Sequence, residues 1–187
     1  MPKKTIKDYK IGDTYEDKPD SSENSVAIVK IKYDFYEAVK EALELIGDVK
    51  VNKNTKILIK PNLSIPGYAY IGICTNPHVI DALIQYLLDK GAKKGNITIA
   101  EQSFFVPLEK AAEKSGIDNI INKFGVNYVD ISKTEFEKKQ EGEFSFEVSR
   151  IVNDFDLIFN VPVIKTDMIL GIDGAFENLT RFLSKKT

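Results

Sequence analysis

Apolar positions along this chain follow two rhythms, a helical period of 3.6 and short, nearly continuous runs. "YDFYEAVKEALELIG" places Phe35, Ala38, Val39, Ala42, Leu43 and Ile46 on one face. Asp34 stands as N-cap, Glu37 follows three residues later and Gly47 closes the segment, which predicts a capped amphipathic helix. "TNPHVIDALIQYLLDKGA" repeats the plan, with Asn76 as N-cap, Pro77 at the first helical position and Gly91 at the end. Its apolar face holds Val79, Ile80, Leu83, Ile84, Leu87 and Leu88. Further helical pieces are expected from Pro107 to Gly116 and from Asp118 to Phe124, and Ile172 to Lys185 is expected to be mostly helical.

Between these lie the strand candidates. "SVAIVKIK" (25–32), "TKILIKP" (55–61), "NITIA" (96–100), "VNYVDIS" (126–132) and "DLIFNVPVI" (156–164) are rich in β-branched residues. The unbroken Ile57, Leu58, Ile59 run suits a strand covered on both faces. "FSFEVSRIV" instead alternates Phe144, Phe146 and Val148 with Ser145, Glu147 and Ser149, marking a half-exposed edge or hairpin strand after the charged turn 135–143. Strands separated by helices predict an α/β fold: a mostly parallel sheet of about five strands, helices on both faces, and one antiparallel edge strand. Residues 1–24 read as a polar N-terminal arm, with a short strand around Tyr9 to Ile11, and residues 25–187 as a single domain.

Composition narrows the function classes. With 26 basic against 28 acidic residues, no global field attracts nucleic acid or an anionic membrane, so any anion site is local. One cysteine, Cys74, and one histidine, His78, cannot build a cysteine-ligated zinc or iron–sulfur centre from this chain alone. The charged start "MPKKTIKDYK" has no apolar targeting region, and no apolar run nears the ~20 residues of a membrane span. Cytoplasmic residence is the expectation.

Ligands of open α/β sheets sit beyond the carboxyl ends of the strands. Three polar strand ends fall there: Lys60 to Asn62, Glu101 to Ser103, and Lys165 to Asp167. Lys60 and Lys165 each follow a buried run and adjoin or follow a proline. Each reads as an ammonium for a carboxylate or phosphate, as a lysine of lowered pKa acting as a base, or as a lysine leaning out of a strand end. Glu101 is a candidate acid, base or oxygen ligand, and Asp130 shares that ambiguity. Thr75 and Asn76 open a helix whose first N–H groups can hold an anion or simply be capped. His78 reads as a surface residue and Cys74 as a small buried side chain. Ser103 lies in no G-x-S-x-G elbow and has no triad histidine, so serine hydrolysis is not expected. No G-x-G-x-x-G, Walker A, HExxH or CxxC pattern occurs.

Five strings taken together, "ILIKPNL", "TNPHVIDALIQYLLDKGA", "IAEQS", "FNVPVIKT" and "GAFENL", resemble the domain of unknown function 362 family from about Ser25 to the C-terminus. That family is iron–sulfur-associated, and many relatives carry a ferredoxin-like [4Fe-4S] module, which the resemblance places outside this chain. The family's usual K-T-H is here Lys165, Thr166, Asp167, and its usual lysine before the final asparagine is Glu177. Relatives continue beyond the point where this chain stops at "SKKT", which implies a short member or a fragment.

The expected function is binding of a small anionic ligand, with Lys60, Lys165 and Glu101 as catalytic candidates and Asn62, Thr75, Asn76, Ser103, Thr166 and Asn178 as ligand contacts. Asp167 and Glu177 are candidate oxygen ligands for a divalent metal. The alternatives are a scaffold or interaction module and a partner of a separate ferredoxin-like protein. Neither nucleic acid nor membrane is expected as a partner.

Overall fold

The computed structural model describes residues 25–63, 67–68, 71–102, 106–168 and 170–185. Four of the apolar runs form one parallel sheet: β1 (Ile57–Pro61), β2 (Ile97–Glu101), β3 (Asn127–Asp130) and β6 (Leu157–Val161), in the order β3-β2-β1-β6. Ile57 lies opposite Ile97 on one side and Leu157 on the other, which brings the four strand ends to one rim. Every residue of the central strands β1 and β2 is buried, as their continuous apolarity requires.

Four helices serve the first face: α1 (Phe35–Leu45), α2 (Pro77–Asp89), α3 (Leu108–Ser115) and α4 (Ile117–Phe124). Ile57, Ile59, Ile97 and Ile99 pack there with Ile80, Ile84 and Leu87 of α2 and Ile117 and Ile120 of α4. The caps are those expected. Asp34 accepts from Tyr36 N and Glu37 N, Asn76 accepts from His78 N, and Gly91 turns the chain at φ 98° after α2.

The second face is covered differently. β4 (Phe136–Glu141) and β5 (Phe144–Ser149) form an antiparallel hairpin around Gly142, at φ 58°, and Glu143. The hairpin's Phe136 and Val148, with Ile151, Phe155 and Phe182, pack on Leu58 and Ala100. The 144–149 segment is therefore a hairpin strand lying on the sheet, not a member of it. Among the described residues the sheet has four strands, because residues 25–32, expected as a strand, enter no ladder there.

The region from Ile172 to Lys185 is less helical than its pattern implied. A short ribbon, β7 (Lys165–Asp167) with β8 (Gly171–Asp173), leads through Gly174 into a five-residue helix, α5 (Ala175–Leu179), and a 3₁₀ turn, Thr180–Phe182. Gly171, at φ 77°, and Gly174 break the chain before a longer helix can form. The arm 1–24 and its expected strand lie outside the described residues. Among those described, no helix is long and apolar enough to cross a membrane.

Candidate functional site

Alternation along β1 sends Ile57 and Ile59 to the helical face and Leu58 to the other, so Lys60 also points to the second face, at the carboxyl rim. It does not lean out to solvent. Lys60 and Glu101 have no exposed surface, and Asn178 has almost none. Lys60 Nζ donates to Glu101 Oε1 at 2.7 Å, to Asn178 Oδ1 at 3.1 Å and to the Pro61 carbonyl at 3.2 Å. Three ammonium protons thus meet three acceptors, and the Phe182 ring lies 5.9 Å from the nitrogen. Burial lowers the Lys60 pKa, and the Glu101 carboxylate opposes that shift.

The partners knit the strand ends together. Glu101 Oε1 also accepts from Gln102 N at 2.7 Å, and Oε2 accepts from Leu63 N at 3.0 Å. Asn178 of α5 donates to the Lys60 carbonyl at 3.2 Å and to Asn160 Oδ1 at 2.6 Å, and Asn160 faces Lys60 across the β1 and β6 pair. Thr75 Oγ1 donates to the Val161 carbonyl at 2.6 Å and accepts from Asn62 N at 2.7 Å. This ties the start of α2 to the ends of β1 and β6.

A second cluster adjoins the first through α5. Lys165 lies opposite Asp173 in the ribbon and pairs with its Oδ2. Arg181 Nη2 donates to Glu177 Oε1 at 2.8 Å. Asp173 is 4% exposed, and its carboxylate also lies against that of Glu177. Burial raises the Glu177 pKa; Arg181 opposes the rise and the Asp173 carboxylate adds to it. The clusters meet because Glu177 and Asn178 are consecutive, and Lys60 feels the charges of both Arg181 and Glu177.

The expected residues therefore divide. Lys60, Glu101, Asn62, Thr75 and Asn178 converge at the rim, while Lys165 and Glu177 belong to the neighbouring cluster. Asn76 is occupied as a cap, and Thr166 faces solvent on β7. Ser103 lies outside the described residues. Asp167 accepts from Leu170 N at 2.7 Å within the ribbon turn, and Glu177 Oε1 accepts from Arg181. Among the described residues no group of three or more His, Cys, Asp or Glu side chains is arranged to hold a metal. His78 is exposed beside the Phe35 ring, with ring centres 5.2 Å apart. Cys74 is buried, its thiol on the Gly67 carbonyl, and burial raises its pKa away from a reactive thiolate.

Asn160, Asp173 and Arg181 were not anticipated, whereas Gln102 falls within the polar strand end that was. Asn160 had a signal, a lone amide inside the apolar "LIFNV" run, where a buried polar group needs a partner. Asp173 and Arg181 had none, because their roles depend on a chain path set by glycines.

These features define a class, an α/β domain with a paired polar network at the carboxyl ends of its parallel strands. The chain belongs to the family described as Domain of unknown function (DUF362), whose family model matches residues 57–187, from β1 onward. Comparison with curated proteins gives no match.

Proposed function

We propose that this is a cytoplasmic protein that binds a small carboxylate or phosphate at the carboxyl rim of its sheet, with Lys165 and Arg181 as the receiving cations. The observation that carries this reading is that each of three cations, one at the rim and two in the cluster beside it, holds a carboxylate of the protein itself: Lys60 holds Glu101, Lys165 holds Asp173 and Arg181 holds Glu177. Lys and Arg bind carboxylate and phosphate through the same charge-assisted hydrogen bonds, so an incoming anion can take the place of an internal carboxylate that gives up its charge. Glu177 is the partner most readily exchanged, because burial and Asp173 both disfavour its charge. Lys60 and Glu101 stay beneath as the frame that fixes α5. Any chemistry that follows binding would draw on the Lys60 amine, whose pKa burial lowers, with Glu101 as its proton partner.

The test is a thermal-shift titration with inorganic phosphate and with small mono- and dicarboxylates. A ligand at a hundred times its Kd should stabilise the parent by about 2.7 kcal/mol. Arg181→Gln and Lys165→Gln should remove that protection while leaving the far-UV spectrum unchanged. Protection that survives in both variants, or no response to any anion, overturns the reading.

A second reading is favoured by the complete pairing of Lys60: an interaction module in which the polar network only locks the fold. It predicts no anion response in any variant.

A further inference from the structure

Residues 26–31, Val-Ala-Ile-Val-Lys-Ile, are among the most strand-like in the chain, yet among the described residues they enter no ladder, and Val26, Ile28 and Ile31 are exposed while Ala27 and Val29 are half-buried. Val26 is 88% exposed, Ile28 94% and Tyr33 99%. A β-branched segment outside every described ladder, with alternate side chains exposed, is a strand without a sheet.

The same chain carries a sheet edge without a strand. Among the described residues, β6 pairs only with β1 and has no neighbour on its other side. β6 is apolar, Leu-Ile-Phe-Asn-Val, but none of its five residues is fully buried, unlike those of β1 and β2. From its carboxyl end the chain runs into a strip of outward apolar side chains, Ile164, Met168, Leu170, Ile172 and Phe176. The opposite edge, β3, is Asn-Tyr-Val-Asp, a poorer template.

Charge sets the direction. The donor segment ends in Lys30 and Lys32, and β6 is preceded by the exposed acids Asp154 and Asp156. Antiparallel addition brings these lysines to the acids and Val26 to the apolar carboxyl end. Parallel addition would carry the lysines toward Lys165 and strand the acids.

We propose that residues 26–31 of one copy add antiparallel to the free edge of β6 in a second copy, and reciprocally, making a strand-exchanged dimer. Donor and acceptor sit on one chain, so a second copy supplies both halves of a closed twofold assembly. The addition satisfies the backbone of both elements and covers Val26 and Ile28.

Sedimentation velocity on the full chain, with hydrogen exchange on the 26–31 peptide, tests this. A dimer is expected at about 100 μM, with the peptide protected only in the dimer. Ile28→Lys should give a monomer with an unchanged far-UV spectrum, because Ile28 is exposed within its own protomer. Lys30→Glu with Lys32→Glu should weaken association about tenfold, and adding Asp154→Lys should recover most of it. A chain that stays monomeric, or a dimer that survives Ile28→Lys, overturns the proposal. So does protection of the peptide in the monomer, which would assign the strand to its own chain. Association unchanged by the lysine reversals overturns the antiparallel direction.

Discussion

Lys60 shows how a single residue can be found in the sequence for one reason and kept in the structure for another. Its position at the end of a buried strand was legible, but the sequence suggested a lysine facing a ligand. The structure closes it on Glu101, Asn178 and Pro61. A buried ion pair adds little net stability, because desolvation consumes the Coulomb gain, yet loss of one partner leaves a charge stranded. Lys60→Met should therefore cost about 3–5 kcal/mol in urea unfolding, and Lys60→Met with Glu101→Leu should cost clearly less. Equal losses from the single and double variants would deny the pairing its role. Glu177 titrates in the opposite sense to a salt-bridged surface acid. Its pKa is raised in the folded state, so the folded protein binds that proton more tightly than the unfolded chain. Its charged form thus costs stability above the folded pKa, and that cost disappears as pH falls through the raised pKa toward the unfolded value. Glu177→Gln should flatten this part of the stability profile, which urea midpoints measured at successive pH values will show. Anion binding should strengthen over the same fall in pH, since a neutral Glu177 releases Arg181.

Elements with a local signature were legible at close range. α1 and α2 carried their own caps and a single apolar face, and both form between the expected signals. Asp34→Ala should cost about 1 kcal/mol, because the side chain accepts from two N–H groups in the first turn of α1. Thermal unfolding checks this, and Asp34→Asn should retain most of the stability. The strands β1, β2, β3 and β6 were equally visible as apolar runs. What could not be read was pairing, which is a property of two segments. Residues 25–32 have strand chemistry and no ladder, because a run of valine and isoleucine specifies a conformation and not a neighbour. The expected C-terminal helix is shorter than its pattern implied for a related reason. "ILGIDGAFENL" has scattered apolar positions compatible with a helix, but Gly171 and Gly174 admit a tight ribbon that the Lys165 and Asp173 pairing then fixes. The site followed the same division: Lys60, Glu101 and Asn178 stand at element ends, whereas Asp173 and Arg181 became neighbours only through that ribbon.

At the scale of the whole molecule the chain holds two grades of structure. The sheet and its helices bury Ile57, Ile59, Ile80, Ile84, Ile97 and Ile99 completely, and their contacts cross from strand to strand and strand to helix. The ribbon and α5 are three-residue strands and a five-residue helix, with Ile172 and Phe176 largely exposed. Elements this short are not stable alone. Asn178 anchors them through three bonds to β1 and β6, and Phe182 adds an apolar contact just beyond. This arrangement predicts two tiers of opening. In native-state hydrogen exchange, amides of the ribbon and α5 should open at a free energy well below the global value, while β1 and β2 open only with the whole domain. Asn178→Leu keeps a side chain of similar size but removes the three bonds and leaves the Lys60 ammonium one acceptor short. It should lower the ribbon's opening free energy by about 1–3 kcal/mol. Protection in β1 and β2 should fall only as far as global stability falls. If the ribbon instead exchanges with the sheet in one cooperative step, in parent and variant alike, the two-tier description is wrong and α5 is an integral part of the core. That outcome would also leave the rim too rigid for Glu177 to yield Arg181 to an incoming anion.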